Sequence, residues 1–257
     1  MRALYPILVL CAFAAAQEEK PAEEAEKPKT AGEIEIPDPG LALEDSAVAR
    51  REVARFETEM RAAKEPAEEV ALLERLGGFD HPVILKAAAR RLKDREFQVA
   101  VAAAVAVARQ SKSKDSAGRA LLGALKSEKR TDVVCALLVG MGRLGYDNKS
   151  AVNEATKYFR RDTKETHKAA TRYFGYIKYK PAFRMLAEKL DEPAPKNPND
   201  PTNPPASYWK ERWEEWNSNV PYTRWALSQL VEGETFELMS EAKDWAEREG
   251  KEHGIEW

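Results

Sequence analysis

Residues 99–108 read Val-Ala-Val-Ala-Ala-Ala-Val-Ala-Val-Ala, ten successive positions without a polar side chain. Valine favours strands, so a strand is the alternative here, but alanine is the strongest helix former and the flanking segments have helical periodicity. A helix that is apolar all round has to be covered on all sides. We therefore predict a core helix in an all-α protein.

Amphipathic helices separated by short turns are predicted on both sides of this stretch, and they come in pairs. The second helices of three pairs begin at Glu96, Thr131 and Lys164, at spacings near 35 and 33 residues, which is typical of stacked two-helix units. The predicted pairs are Asp45–Lys64 with Ala67–Leu76, Pro82–Lys93 with Glu96–Gln110, Ser116–Ser127 with Thr131–Leu144, and Asn148–Arg161 with Lys164–Lys178, and a fifth pair opens at Lys180–Leu190.

Residues 1–16 have the pattern of a signal peptide. Arg2 is followed by a mainly apolar stretch that ends in three alanines, so cleavage is expected near Ala16. The stretch is shorter than the roughly 20 residues that a membrane-spanning helix needs. A lipoprotein anchored through Cys11 is the alternative, although Leu10 stands where such signals carry a small residue. The mature chain is therefore expected to be exported, periplasmic or extracellular, without a membrane span.

Residues 17–40 are rich in Glu, Lys, Ala and Pro and have almost no large apolar side chain. So little apolar burial does not offset the entropy of ordering, and we predict a disordered acidic arm. Its eight acidic residues against three lysines suit either a solubilising tether or a segment that folds back on a basic surface. Ile34 and Ile36 are its only plausible docking points.

The charge balance and the cysteine content bound the function. The chain has 41 Lys and Arg against 43 Asp and Glu, a formal net charge of -2, so no nucleic-acid partner is expected. If Cys11 is removed with the signal, Cys135 is the only remaining cysteine and no intramolecular disulfide can form. Because Cys135 lies in an apolar run, we predict a buried structural thiol rather than a nucleophile.

Residues 157–184 contain nine Lys or Arg against two acidic residues, with aromatic side chains between them. Such a pattern can hold phosphates or acidic polymers, and Arg172, Lys178 and Lys180 are the first candidates for an anionic ligand. A solvated outer face or docking of the acidic arm are the alternatives.

All six tryptophans lie in the last 49 residues. A Pro-rich inserted loop at 191–207 precedes a helix predicted at Tyr208–Asn217, which carries Trp209, Trp213 and Trp216 on one face. These side chains can form a recognition surface for a partner. The alternative, which we favour, is that they seal the end of a helical stack, whose last unit has no neighbour.

The segments Ile84–Asp94 and Val99–Ala104 resemble HEAT repeats of the short bacterial kind, including those named after phycobilisome lyases. The resemblance covers residues 45–190, and it departs from the family where Gln98 and Asp132 replace the usual arginine at the start of the inner helix. Residues 226–236, with Trp245, are similar to the ending of exported bacterial HEAT-repeat proteins. The resemblance implies a right-handed α-solenoid of about five helix pairs that acts as a scaffold.

Sequence patterns of catalytic sites are missing from the chain. The three histidines have no metal-ligand spacing, and there is no phosphate-binding glycine loop and no nucleophile elbow. We therefore expect a non-catalytic exported scaffold that binds a protein partner, without metal or cofactor. One alternative is a lyase or isomerase acting on a bound chromophore, as the family resemblance suggests. The other is an architectural envelope protein without a separate ligand.

The predicted organisation is a signal peptide at 1–16, the acidic arm at 17–40, HEAT-like repeats at 41–190, the Pro-rich loop at 191–207, and a Trp-rich final repeat and cap at 208–257.

Overall fold

The computed structural model describes residues 34–160, 164–195 and 197–257, so the predicted signal peptide and most of the acidic arm lie outside the described residues. Within these ranges the protein is all-α, as predicted, apart from one pair of two-residue strands. The helices are α1 (Ser46–Ala62), α2 (Pro66–Gly77), α3 (Pro82–Ala89), α4 (Phe97–Ala108), α5 (Lys114–Leu125), α6 (Thr131–Arg143), α7 (Lys149–Arg160), α8 (Lys164–Tyr176), α9 (Phe183–Ala187), α10 (Ala206–Leu230) and α11 (Met239–Trp245).

The periodicity of the second helices is confirmed: α4, α6 and α8 begin 34 and 33 residues apart. Two first helices are shorter than predicted. Helix α3 ends at Ala89 instead of Lys93, and the predicted helix at 180–190 consists of a 3₁₀ turn at Lys180–Ala182 followed by α9.

The predicted end of the tryptophan-bearing helix at Asn217 is wrong, because α10 continues to Leu230 and contains Pro221. Proline in a helix interior loses one backbone hydrogen bond and usually kinks or breaks the helix. Here Val220 before the proline and Ala226 and Leu227 after it are buried. Trp225 and Ala226 also lie against Gly175 of α8. Tertiary packing thus outweighs the local preference of Pro221.

Helices α2, α4, α6, α8 and α10 form a row in which each packs against the next; we call it the central row. Helices α1, α3 and α5 pack on one another and on their partners α2, α4 and α6. Each unit therefore contacts mainly its neighbours, and apolar side chains along the central row make one continuous core.

Small residues allow the central-row helices to approach closely. A Cβ atom at Gly142 of α6 would lie 3.0 Å from the Cα atom of Tyr173 in α8, and one at Gly175 of α8 would lie 2.5 Å from the Trp225 ring in α10. Contacts this short leave no room for a side chain. The helix separation along the row is therefore set by glycine.

An ion pair in a turn connects two successive units. Arg130 binds Glu128 at 2.8 Å and donates Nη1 hydrogen bonds to the backbone oxygens of Asp94 and Arg95, 2.8 and 2.9 Å away. These oxygens belong to the turn that precedes α4. Hydrogen bonds from the Arg130 side chain, opposed by burial, lower the pKa of Glu128 to about 2. The guanidinium thus fixes the turn before α6 against the turn before α4.

Residues 34–40, which we call the strap, make defined contacts. They differ in this from the prediction that the disordered arm extends to residue 40. The Arg109 side chain donates to the backbone oxygen of Asp38 at 2.8 Å, and the Gly40 amide donates to the backbone oxygen of Arg109 at 3.1 Å. Ile36 is buried, as its predicted docking role requires, and Ile34 packs partly against the core. The strap leads into β1 (Leu41–Ala42), which pairs in parallel with β2 (Phe79–Asp80).

A charge at Ala103, which is fully buried in the middle of α4, should disrupt the central row. We expect Ala103→Asp to lower the free energy of unfolding by about 4 kcal/mol or more, because an unpaired carboxylate is left in the core. Gln98→Asp is the matched control: it adds the same charge at an exposed position in the first turn of α4 and should change stability by less than about 0.5 kcal/mol. Equal melting temperatures of the two variants would contradict the placement of α4.

Candidate binding groove

Helix α4 is not covered on all sides, contrary to the expectation from its composition. Phe97, Val101 and Val105 lie at i, i+4 and i+8, so they share one face of the helix. Phe97 is 42% exposed, and the two valines are half-buried, whereas Val99, Ala103 and Val107 are fully buried. An apolar stripe therefore remains open on the helix that has the least polar sequence in the chain.

The stripe forms the floor of a groove of about 550 Å³. Val70 and Gly77 of α2 line it on one side. Ile34 and Pro37 of the strap also line it. The groove is therefore bounded partly by the segment that the sequence predicted to be disordered.

Two carboxylates that pair with no residue in the described part of the chain flank the groove. Glu74 lies on α2 and Asp132 in the first turn of α6, so they belong to the helices on either side of α4. Neither makes a hydrogen bond or ion pair with any described residue, and Asp132 is half-buried. Arg109, the cation of the lining, is already bound to the Asp38 oxygen.

The groove was missed because its residues look like core residues in the sequence. Phe97, Val101 and Val105 belong to the same apolar run as the residues that the core covers. The sequence of α4 contains a weak signal of the open face. Alanine is frequent on the buried face of this helix, where neighbouring helices approach closely, whereas two of the four valines of α4 lie on the open face.

The predicted anion-binding candidates do not form one surface. Arg172 is buried, with its guanidinium 5.9 Å from the centre of the Tyr176 ring. Lys178 pairs with Glu232 at 2.8 Å, and Lys180 donates to the His253 oxygen at 2.7 Å. The two lysines thus connect the end of α8 to the C-terminal segment, so they are engaged within the chain.

The predicted tryptophan face lies on the first half of α10, which contains no buried residue before Val220. Trp213 is 43% exposed, and Trp209 is half-buried against Tyr208 at a ring-centre distance of 5.3 Å. Trp216 packs partly against the core and donates to the Leu190 oxygen at 3.1 Å. The three side chains therefore differ in environment although they share a helix.

A separate aromatic cluster lies at the end of the chain. Trp245 is buried, and the centre of its ring lies 5.7 Å from those of Phe183 and Phe236. This cluster packs α11 onto α9 beyond the last helices of the row. Its geometry is that expected of a cap, whereas Trp213 contributes little to the core.

Two reactive side chains, Cys135 and His167, are buried. Cys135 is buried as predicted, and burial, with a smaller effect of Asp132, raises the pKa of its thiol to about 12. His167 is buried on α8, with Nδ1 2.8 Å from the Phe159 oxygen. Across the described ranges, no group of three or more His, Cys, Asp or Glu is placed to hold a metal ion. No described helix combines the length and the apolar character needed to span a membrane.

No protein-family model and no curated protein sequence matches the chain.

The two aromatic environments predict different effects of truncation. Trp245→Ala should lower the free energy of unfolding by about 3–5 kcal/mol, because it leaves a cavity among Phe183, Phe236 and α11. Trp213→Ala should cost less than about 1 kcal/mol, because the side chain is 43% exposed and its indole N–H donates to Glu192 of the adjacent loop. Denaturant unfolding of both variants checks this, and a larger loss for Trp213→Ala would mean that the first half of α10 belongs to the cap.

Proposed function

We propose that this chain is a non-catalytic scaffold that binds a segment of a protein partner in the groove over α4. The observation that carries the proposal is the open stripe of Phe97, Val101 and Val105 on a helix whose other faces are buried. Val101 and Val105 pack partly against the core, but with Phe97 they also leave a contiguous apolar surface open to solvent, and such surfaces mark binding sites. A concave apolar surface with few polar groups at its rim is the usual form of such sites.

We propose further that the units are HEAT-like repeats stacked as a right-handed α-solenoid. The 34- and 33-residue spacing of α4, α6 and α8 and the order of contacts along the central row support this. In such a stack each unit depends on its neighbours, and the second helices present one extended surface to partners. The groove lies on that surface.

The absence of catalysis is also part of the proposal. Its support is the state of the reactive groups: the Cys135 thiol has a raised pKa, and His167 is bound to a backbone oxygen inside the fold. A thiol with this pKa is a poor nucleophile at neutral pH. We assign the chain no metal and no cofactor.

We propose that the protein is exported, with residues 1–16 as the signal peptide. Its support is the charged start, the apolar stretch and the alanines before Gln17. Sequencing of the N terminus of protein recovered outside the cytoplasm should give Gln17. A mature protein whose N-terminal residue is an acylated Cys11 would establish the lipoprotein alternative instead.

The groove can be tested by selecting displayed random peptides against the immobilised protein. We expect selected peptides to lose at least about tenfold in affinity for a Phe97→Ala/Val101→Thr variant, since two apolar contacts of about 1 kcal/mol each are removed. Trp213→Ala and Lys178→Ala/Lys180→Ala serve as controls on the two other candidate surfaces and should bind as wild type does. If only those controls lose binding, the groove is not the site.

A further inference from the structure

The rim of the groove carries a charge pattern that restricts what can bind there. Glu74 and Asp132 sit on the helices that flank α4, and neither carboxylate is paired with a described residue. Asp132 is half-buried, so it retains only part of its hydration. An unpaired carboxylate beside an apolar surface interacts strongly with a cation that arrives from outside.

Arg109, the cation in the lining of the groove, is engaged elsewhere. The Arg109 side chain donates to the backbone oxygen of Asp38, and the Arg109 backbone oxygen accepts from Gly40. Arg109 therefore serves to fix the strap. The acidic character of the rim remains available to a ligand.

The apolar stripe limits the ligand in a second way. Phe97 and Val105 lie eight positions apart on the helix, with Val101 midway between them, which is a length of about 12 Å. Two or three aliphatic side chains on one side of a peptide cover that distance, in an extended chain or in a helix. A small cation without apolar groups would leave the stripe in water.

We infer that the partner segment is a basic, aliphatic peptide: aliphatic side chains fill the stripe on α4, and Lys or Arg residues on both sides pair with Glu74 and Asp132. This inference rests on the proposed function and adds the chemistry of the partner. It also differs from the anionic ligand that the composition of residues 157–184 suggested, for which Lys178 and Lys180 were two of the candidates; both are engaged by the C-terminal segment.

The test is fluorescence anisotropy with three labelled peptides of equal length. One carries alternating Leu with Lys and Arg, the second has Glu in place of every basic residue, and the third keeps the basic residues but has Ser in place of Leu. We expect the basic–aliphatic peptide to bind at least about tenfold more tightly than either of the others. Salt should weaken its binding, because part of the affinity comes from ion pairs.

Charge reversal on the rim provides the specific control. Glu74→Lys/Asp132→Lys should weaken binding of the basic–aliphatic peptide at least about tenfold and strengthen binding of the acidic one. Glu211→Lys/Glu249→Lys makes the same change in net charge at exposed positions far along the chain and should leave both affinities unchanged. Circular dichroism verifies that both variants are folded.

The outcomes separate the inference from the function on which it rests. If the basic and acidic aliphatic peptides bind equally well, the inference of a basic partner is overturned. If both also lose binding to Val101→Thr/Val105→Thr, the groove is still the binding site. Tight binding of the serine peptide, or retained affinity in Glu74→Lys/Asp132→Lys, would also overturn the inference. Failure of all three peptides to bind would count against the groove itself, and hence against both proposals.

Discussion

The close approach of successive helices in the central row is the constraint on which the rest of the structure depends. Gly77 meets Ala106, Gly142 meets Tyr173 and Gly175 meets Trp225 so closely that an added side chain would force the neighbouring residue to shift. Such contacts exclude water from the helix faces and give the row one continuous core. They also explain the composition of α4, in which alanine occupies the positions that face α2 and α6. Stability is thereby distributed over the interfaces between successive helices of the central row.

The open face of α4 follows from the same packing. Helices α2 and α6 cover its sides and α3 covers its back, so the stripe of Phe97, Val101 and Val105 is left without a helix above it. The strap covers only part of this face. An apolar surface of this kind, beside two carboxylates that pair with no described residue, matches a ligand with aliphatic and basic groups. The proposed binding function therefore rests on this surface.

The architecture could be predicted further than the site. Periodicity and turn residues placed α2, α4, α6 and α8 within a few residues, because amphipathic spacing reports directly which side of a helix is buried. Periodicity could not show that α10 continues through Pro221, because the second half of α10 is held by contacts with α8, which is remote in sequence. The candidate site could not be predicted for a related reason. Val101 and Val107 are both valines in the same apolar run, and only the position of the neighbouring helices decides which of them is exposed. The sequence could not show that Lys178 and Lys180 are engaged within the chain, because their partners, Glu232 and the His253 oxygen, lie more than 50 positions away.

The most direct measurement is a titration of the isotope-labelled protein with the basic–aliphatic peptide, followed through backbone amide resonances. If the groove is the binding site, the largest shifts will cluster at Val70, Phe97, Val101 and Val105 and in the strap, while the amides around Trp213 stay in place. Shifts confined to the first half of α10, or to the end of α8 around Lys178, would contradict the groove and move the binding site to the C-terminal part of the molecule.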